Sequence, residues 1–469
     1  MTSYTRQIAD FASRLTLDAV PPEVIARAKG IILDGLGCAL FGSDVRWTRI
    51  LAGVVHRLEP KGGVASIWGR RASASAANAA LVNGTMVQSY ELDDVHINGH
   101  MHSCAVVLPA AFAAAEYVGG DKVDGARLLL AIIAAFEIGP RVGICMRGDD
   151  IKLNGWHSGG ILTTFPAAIA AGVVLGLNSD QFFHALGIAG TQAGGLFAAQ
   201  YGSMVKRMHA GKAAQSGLYA ALLAADGFTG IEDVFDEKYG GYCSTFTHST
   251  DKFDLPELVA GLGTRWETMH FTIKTYACNG SNHSAVNAID ELMAENGIKA
   301  DDVAEITIAA TQGMIRHGGW SPYEPKGLVG AQMHTGFCVA MRMIEGDVFV
   351  DQMVEENIGR ADLVALANKV KMVRSVEREQ RGNSYRKGVD MEVKLKDGRE
   401  LKKTVDFARG NDLRPLSGEE MATKFRRLAA KALSKRNVTQ IEKIVWELER
   451  VASVAPLIKA LRGSRKAAA

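Results

Sequence analysis

Between Asn83 and Pro109 the chain reads NGTMVQSYELDDVHINGHMHSCAVVLP, and Glu91, Asp93, Asp94, His96, His100 and His102 fall within twelve residues of it. Both flanks are small and apolar. Burying so many ionisable groups beside a core costs several kcal/mol unless they are paired or put to use. Carboxylates packed against imidazoles also shift one another's titration, which is what general acid–base chemistry requires. The loop therefore reads as part of an active site.

Four more polar clusters interrupt apolar or Gly-rich stretches. Gly155-Trp156-His157 precedes an apolar helix, where a lone histidine reads first as a cap or a satisfied core residue. Ser203 to Lys212 carries Lys206, Arg207, His209 and Lys212 into a helix expected over Ala213–Ala225. A helix N-terminus with such cations can hold carboxylates, although a solvated basic turn has the same composition. Phe271 to His283 contains Lys274, Tyr276, Asn279 and His283 at a change of structural character, where ligand pockets are favoured; a polar linker explains it equally well. His317 to Tyr323 is a Gly/Pro-bounded loop that reads as ordinary surface or presents Trp320 or Tyr323 to a pocket.

His96, His100 and His102 form HxxxHxH, but Gly99 argues against the helix that would align the first two, and CxxC and HExxH are absent. No metal is expected. Without GxGxxG, Walker A or GxSxG, nucleotide binding and serine hydrolysis have no support.

The elements that must position these groups are mostly helices. The catalytic-looking loop joins helices expected over Ala76–Ser89 and Ala105–Val118. Thr5–Leu15 and Pro22–Phe41 show apolar spacing of three to four residues, Pro21-Pro22 opening the second. Leu128–Ile138 is an apolar run that Gly139-Pro140 should close. Near Met269 the pattern changes. Val303–Ala309 and Val370–Val376 read as strands, and Val389–Leu395 and Glu400–Val405 flank an Asp397-Gly398 hairpin turn. Helices over Ser284–Glu295 and Ala331–Glu345 intervene. Beyond Gly410 the chain returns to helix, with a start signal at Ser417. The expected fold is mainly α with an α+β insertion: an all-helical domain over 1–268 and 409–469, and a smaller α+β lid over 269–408.

At 469 residues two domains are the prior expectation, and 47% hydrophobic with 22% charged residues describes an ordinary globular chain. A net charge of +2, with the signs interspersed, suggests no nucleic-acid surface, and Arg462–Lys466 reads as a frayed basic terminus. Six scattered cysteines and an N-terminus without a signal-like apolar region lead to the expectation of a cytoplasmic protein with reduced thiols. Gly159–Leu177 is uncharged and long enough to span a bilayer, but Pro166, four glycines and the lack of a Lys/Arg flank favour a core helix; no membrane is expected.

Together these segments resemble the MmgE/PrpD superfamily over nearly the whole chain. Pro21 through Asp34-Gly-Leu-Gly37 is similar to its opening helix pair, Asn83-Gly-Thr with Glu91-Leu-Asp93-Asp94 to its NGT…DxDD block, and His102 to Pro109 to its HPSxxVLP block. Gly155-Trp-His157 resembles its GxH segment, Lys206 to Gly217 its KxxHxG…G block, Lys274 with His283 its lysine…HxAxDA segment, and Pro415-Leu-Ser the start of its last helices. The chain departs from the pattern at Glu91, Val95, Ser103 and Asn279.

The resemblance implies a cofactor-free homodimer acting on small di- or tricarboxylates next to a carboxylate. It implies catalytic roles for Asp93, His102, His157, Lys206 and Lys274, and substrate contacts from Arg207, His209, Asn279, His283, Trp320 and Tyr323. Such chemistry generates an enolate-like carbanion, to be stabilised by cations while an imidazole moves the proton. Dehydration of a hydroxy-polycarboxylate, as by 2-methylcitrate dehydratase, is the first expectation. Epimerisation or isomerisation and decarboxylation are the alternatives, and a catalytically silent carboxylate-binding protein is the remoter one.

Overall fold

The structure, a computed structural model, describes residues 3–463 apart from Gly202, Pro325 and Lys326. The part of the basic stretch beyond Gly463 lies outside the described residues. The fold is mainly α with some β, and contacts divide it into two units. One comprises Met1–Ser89, Asp93–Thr272 and Ser417–Ala469; the other comprises Tyr90–Leu92 and Ile273–Leu416.

In the first unit, Pro22 stands in the first turn of α1 (Pro22–Gly42), where its missing N–H costs nothing. Ser75 caps α2 (Ala76–Val87) by accepting from Asn78 N–H. The others that build the site are α3 (Cys104–Val118), α4 (Gly125–Cys145), α5 (Thr164–Leu175), α6 (Val205–Ala225) and α7 (Gly418–Ala429). Helix α6 packs on α2, α3 and α5, α3 also packs on α2 and α5, α4 on α5, and α1 on α7. Alanine and glycine make this possible. A Cβ on Gly84 of α2 would sit 2.7 Å from Gly211 Cα of α6, so the two backbones cross almost in contact.

Two helices differ from the sequence reading. The stop expected at Gly139-Pro140 does not occur, and α4 continues to Cys145. A Cβ on Gly139 would lie 3.0 Å from Met101 Sδ, and one on Gly143 would collide with the Gly99 carbonyl oxygen. The acidic, histidine-rich loop is laid along this half of α4, and that tertiary packing outweighs the local cost of proline. Helix α6 likewise begins at Val205, eight residues before the expected Ala213. Among the described residues two segments are long and apolar enough to cross a membrane, Gly125–Cys145 and Ser158–Leu175, and the apolar stretch of each is 89% buried within the protein.

The second unit holds a four-stranded sheet: β1 (Val303–Ala310), β2 (Val370–Arg374), β3 (Val389–Leu395) and β4 (Glu400–Val405), in the order β2-β1-β3-β4. β1 and β2 are parallel, with Ile306 beside Val370. The remaining pairs are antiparallel, with Val393 between Ile306 and Leu401. The β3–β4 turn falls at Asp397-Gly398, where Gly398 has φ +90°. The helix His283–Asn296 packs on β3 and β4, and Thr335–Glu345 packs on that helix.

Candidate active site

The loop that leaves α2 is fastened to the start of α3 by Asp94. Its two carboxylate oxygens accept from Ser103 N–H and Cys104 N–H, each at 3.0 Å, which supplies the cap that the Ser103 side chain does not. Burial and the charge of Asp93 push the Asp94 carboxyl up to about 7, against the pull of His102 and the helix amides.

Asp93, 1% exposed at its side chain, brings Oδ2 to 2.9 Å from His102 Nδ1, and the Asp94 carbonyl lies 2.8 Å from the same nitrogen. Both groups are acceptors by chemistry, and the hydrogen bond goes to the Asp94 carbonyl, so Nδ1 carries the proton and the lone pair of the neutral ring falls on Nε2. The His102 side chain is 24% exposed, and no protein partner of Nε2 occurs among the described residues. An oriented, partly open imidazole backed by a buried carboxylate is built to carry a proton.

His96 and His100 turn elsewhere. His96 Nε2 lies 3.2 Å from Glu267, and its Nδ1 accepts from Gly99 N–H at 2.9 Å. His100, held at φ +50°, lies 2.9 Å from Lys152 Nζ. The three histidines thus serve three different partners. Glu137 of α4 accepts from Glu267 N–H and Thr268 N–H, and Arg141 lies 3.9 Å from Glu267, so α4 carries the base of the loop.

Because α6 begins at Val205, Lys206, Arg207 and His209 occupy its opening turns, close to the exposed N–H groups. His209 Nδ1 is 3.1 Å from His157 Nδ1, so one ring donates and the other accepts. Burial and the neighbouring Lys206 hold the His209 imidazole below its ordinary range, which keeps it neutral at neutral pH. Arg207 donates to the Gln88 carbonyl at 3.3 Å and lies over the Trp47 ring, whose Nε1–H donates to Ser89 Oγ.

In the second unit, Lys274 Nζ is 3.4 Å from Glu91 Oε2, both side chains are buried, and Glu91 has φ +56°. The Asn279 side chain accepts from Ser281 N–H in a local turn, and its backbone N–H donates to the Gln332 carbonyl, far along the chain. His283 opens a helix 3.4 Å from the Cys278 carbonyl, its ring edge-on to Tyr276. Trp320 is half-exposed, and its carbonyl accepts from His334. Tyr323 is buried, stacked on Phe337, with its hydroxyl donated to the Ile358 carbonyl.

The structure therefore gathers Asp93 with His102, His157 with His209 and Lys206, and Lys274 with Glu91. Sequence reasoning missed Trp47 and Gln88 beside Arg207, and the buried Glu137, Arg141 and Glu267. It also missed a buried ion pair between Asp34 of α1 and Lys424 of α7, 2.5 Å apart. A lone acid within Ile31-Ile32-Leu33-Asp34-Gly35-Leu36 was the available signal for the last.

Comparison with known proteins places this arrangement in context. The sequence matches the profile of the MmgE/PrpD N-terminal domain over residues 6–254 and that of the MmgE/PrpD C-terminal domain over residues 276–450. It is 36% identical to a cis-aconitate decarboxylase-like protein, oryM, of Aspergillus oryzae, covering 98% of this chain and 97% of that one. It is 35% identical to a cis-aconitate decarboxylase of Aspergillus terreus, over 97% and 95%. It is 27% identical to the human cis-aconitate decarboxylase, over 99% and 95%.

Proposed function

The chain belongs to the MmgE/PrpD family and is a lyase-type enzyme; from that premise we propose that it decarboxylates a small tricarboxylate of the cis-aconitate class. The observation that carries the reading is the Asp93–His102 pair with its available Nε2, in a chain alike over its full length to decarboxylases of that substrate.

The residues divide the work by their chemistry. When the bond to the departing carboxylate breaks, its electron pair stays on the substrate and CO₂ leaves neutral. The resulting carbanion spreads its charge into the remaining carboxylates. Lys206 and Arg207, at the positive end of α6, are suited to hold those carboxylates and to meet the developing charge. His102 delivers a proton from Nε2 to carbon, Asp93 stabilises the imidazolium before transfer, and solvent replaces the proton afterwards. The His157–His209 pair, neutral on the His209 side, offers hydrogen bonds without competing for the proton. Lys274 would serve as a further carboxylate clamp, as the resemblance to the family implies.

Dehydration of a hydroxy-polycarboxylate uses the same proton carrier, and the named relatives favour decarboxylation over it. Proton NMR in D₂O with cis-aconitate and 2-methylcitrate in parallel separates the two. The expected result is CO₂ release from cis-aconitate with one deuterium at carbon in the product. Water loss from 2-methylcitrate, with cis-aconitate retaining all its carboxylates, would overturn the reading.

A further inference from the structure

Beneath the Asp93–His102 pair lies a buried charge cluster. Asp34 sits in α1 with no solvent exposure, Lys424 reaches it from α7, and their charged atoms are 2.5 Å apart. The segment around Asp34 bears directly on the start of α3. A Cβ on Gly35 would lie 2.8 Å from Cys104 Cβ, and Cys104 Sγ donates to the Ile31 carbonyl at 3.4 Å. Cys104 N–H is in turn held by Asp94.

The charged and titratable groups around Asp34 come from several elements. Lys424 comes from α7, Arg27 and the Cys38 thiol from α1 itself, the Cys104 thiol from α3, and Asp93 and Asp94 from the loop. Asp93 interacts with both members of the pair, repelled by Asp34 and attracted by Lys424. Burial and Asp93 raise the Asp34 carboxyl, although Lys424 opposes them. Lys424 overcomes its own burial through Asp34 and stays charged.

A buried ammonium that is paired with one carboxylate and feels the charge of a second can neutralise only one fully. We propose that Asp34 is a positioning residue, which engages Lys424 so that Asp93 stays committed to His102. The proposal rests on the reading of His102 as the proton carrier. Removing Asp34's charge alone turns Lys424 onto Asp93 and deprives the imidazolium of its counter-ion. Removing both charges takes away the cation that competes with His102 for Asp93.

The test is a double-mutant cycle of Asp34→Asn, Lys424→Met and the double variant, with folding checked by thermal unfolding. Two readouts are taken: kcat on cis-aconitate, and the pH at which NMR signals of isotope-labelled His102 change. Asp34→Asn should lower kcat at least tenfold and move the His102 signals to lower pH by about one unit, the size typical of losing an opposite charge. The double variant should recover most of both. If the double variant stays as impaired as Asp34→Asn, the pair is a structural tie and the proposal is overturned. If the wild type releases no CO₂ while the His102 signals follow the cycle, the decarboxylase reading fails and the positioning role stands.

Discussion

At His102 the division between proton carrier and clamp becomes measurable. Asn at this position keeps hydrogen-bonding capacity but cannot titrate near neutrality. His102→Asn should therefore lower kcat roughly 10²–10⁴-fold with little change in KM. Lys206 stands in the opening turn of α6, where under the proposed function a cation would meet both the bound carboxylates and the charge that forms on them. Lys206→Met should therefore raise KM as well as lower kcat. Steady-state kinetics of both variants on one substrate decides the matter. A KM effect confined to His102→Asn would reverse the two roles.

At the scale of elements, the loop stays in place through its grip on α4. Burial opposes the charge of Glu267, but its contact with His96 and the charges of Arg141 and Arg265 hold its carboxyl at about 2, against 4.5 for an ordinary glutamate. A depressed value means that the stabilisation is full above about pH 4.5 and is lost as pH falls through 2. Glu267→Gln should therefore cost on the order of 3 kcal/mol at neutral pH, and the gap from wild type should close between those limits. Denaturant titrations at a series of pH values measure it; a gap independent of pH would remove the electrostatic account. This arrangement was not legible in the sequence. Glu267 is far along the chain from Glu137 and Arg141, and a charged residue in a helical pattern reads as solvated until the fold shows what faces it. Lys424 is the clearest case, because an amphipathic helix offers no local sign that one lysine points inward. Local signals were read well where local chemistry decides the outcome. Ser417 caps α7 in a reciprocal box with Glu420, and Gly398 turns the β3–β4 hairpin. Where packing decides, as at Pro140 and at the start of α6, the sequence alone misled.

For the molecule as a whole, the helical unit leaves apolar surface uncovered. Tyr219 and Leu223 on the outer face of α6, with Phe228 and Ile231 just beyond it, are 49%, 38%, 59% and 39% exposed. Four large apolar side chains this exposed within thirteen residues are a candidate association surface, and two-fold pairing is the commonest way to cover one. The protein should therefore run in light scattering at roughly twice its 50.3 kDa chain mass, and Leu223→Lys should shift it towards monomer. A stable monomer of the wild type at micromolar concentration would refute this.

Asp94 uses both carboxylate oxygens on the amides that open α3, while its carbonyl holds His102. One residue thus fastens a helix end and an imidazole, and neither can loosen while the other stays fixed. Heat should then silence the enzyme when this first turn frays, below the temperature at which the surrounding helices melt. Deuterium uptake at the amides of Ser103 and Cys104 should rise in step with the loss of turnover. Full turnover with those amides already exchanging freely would show that the two are not linked.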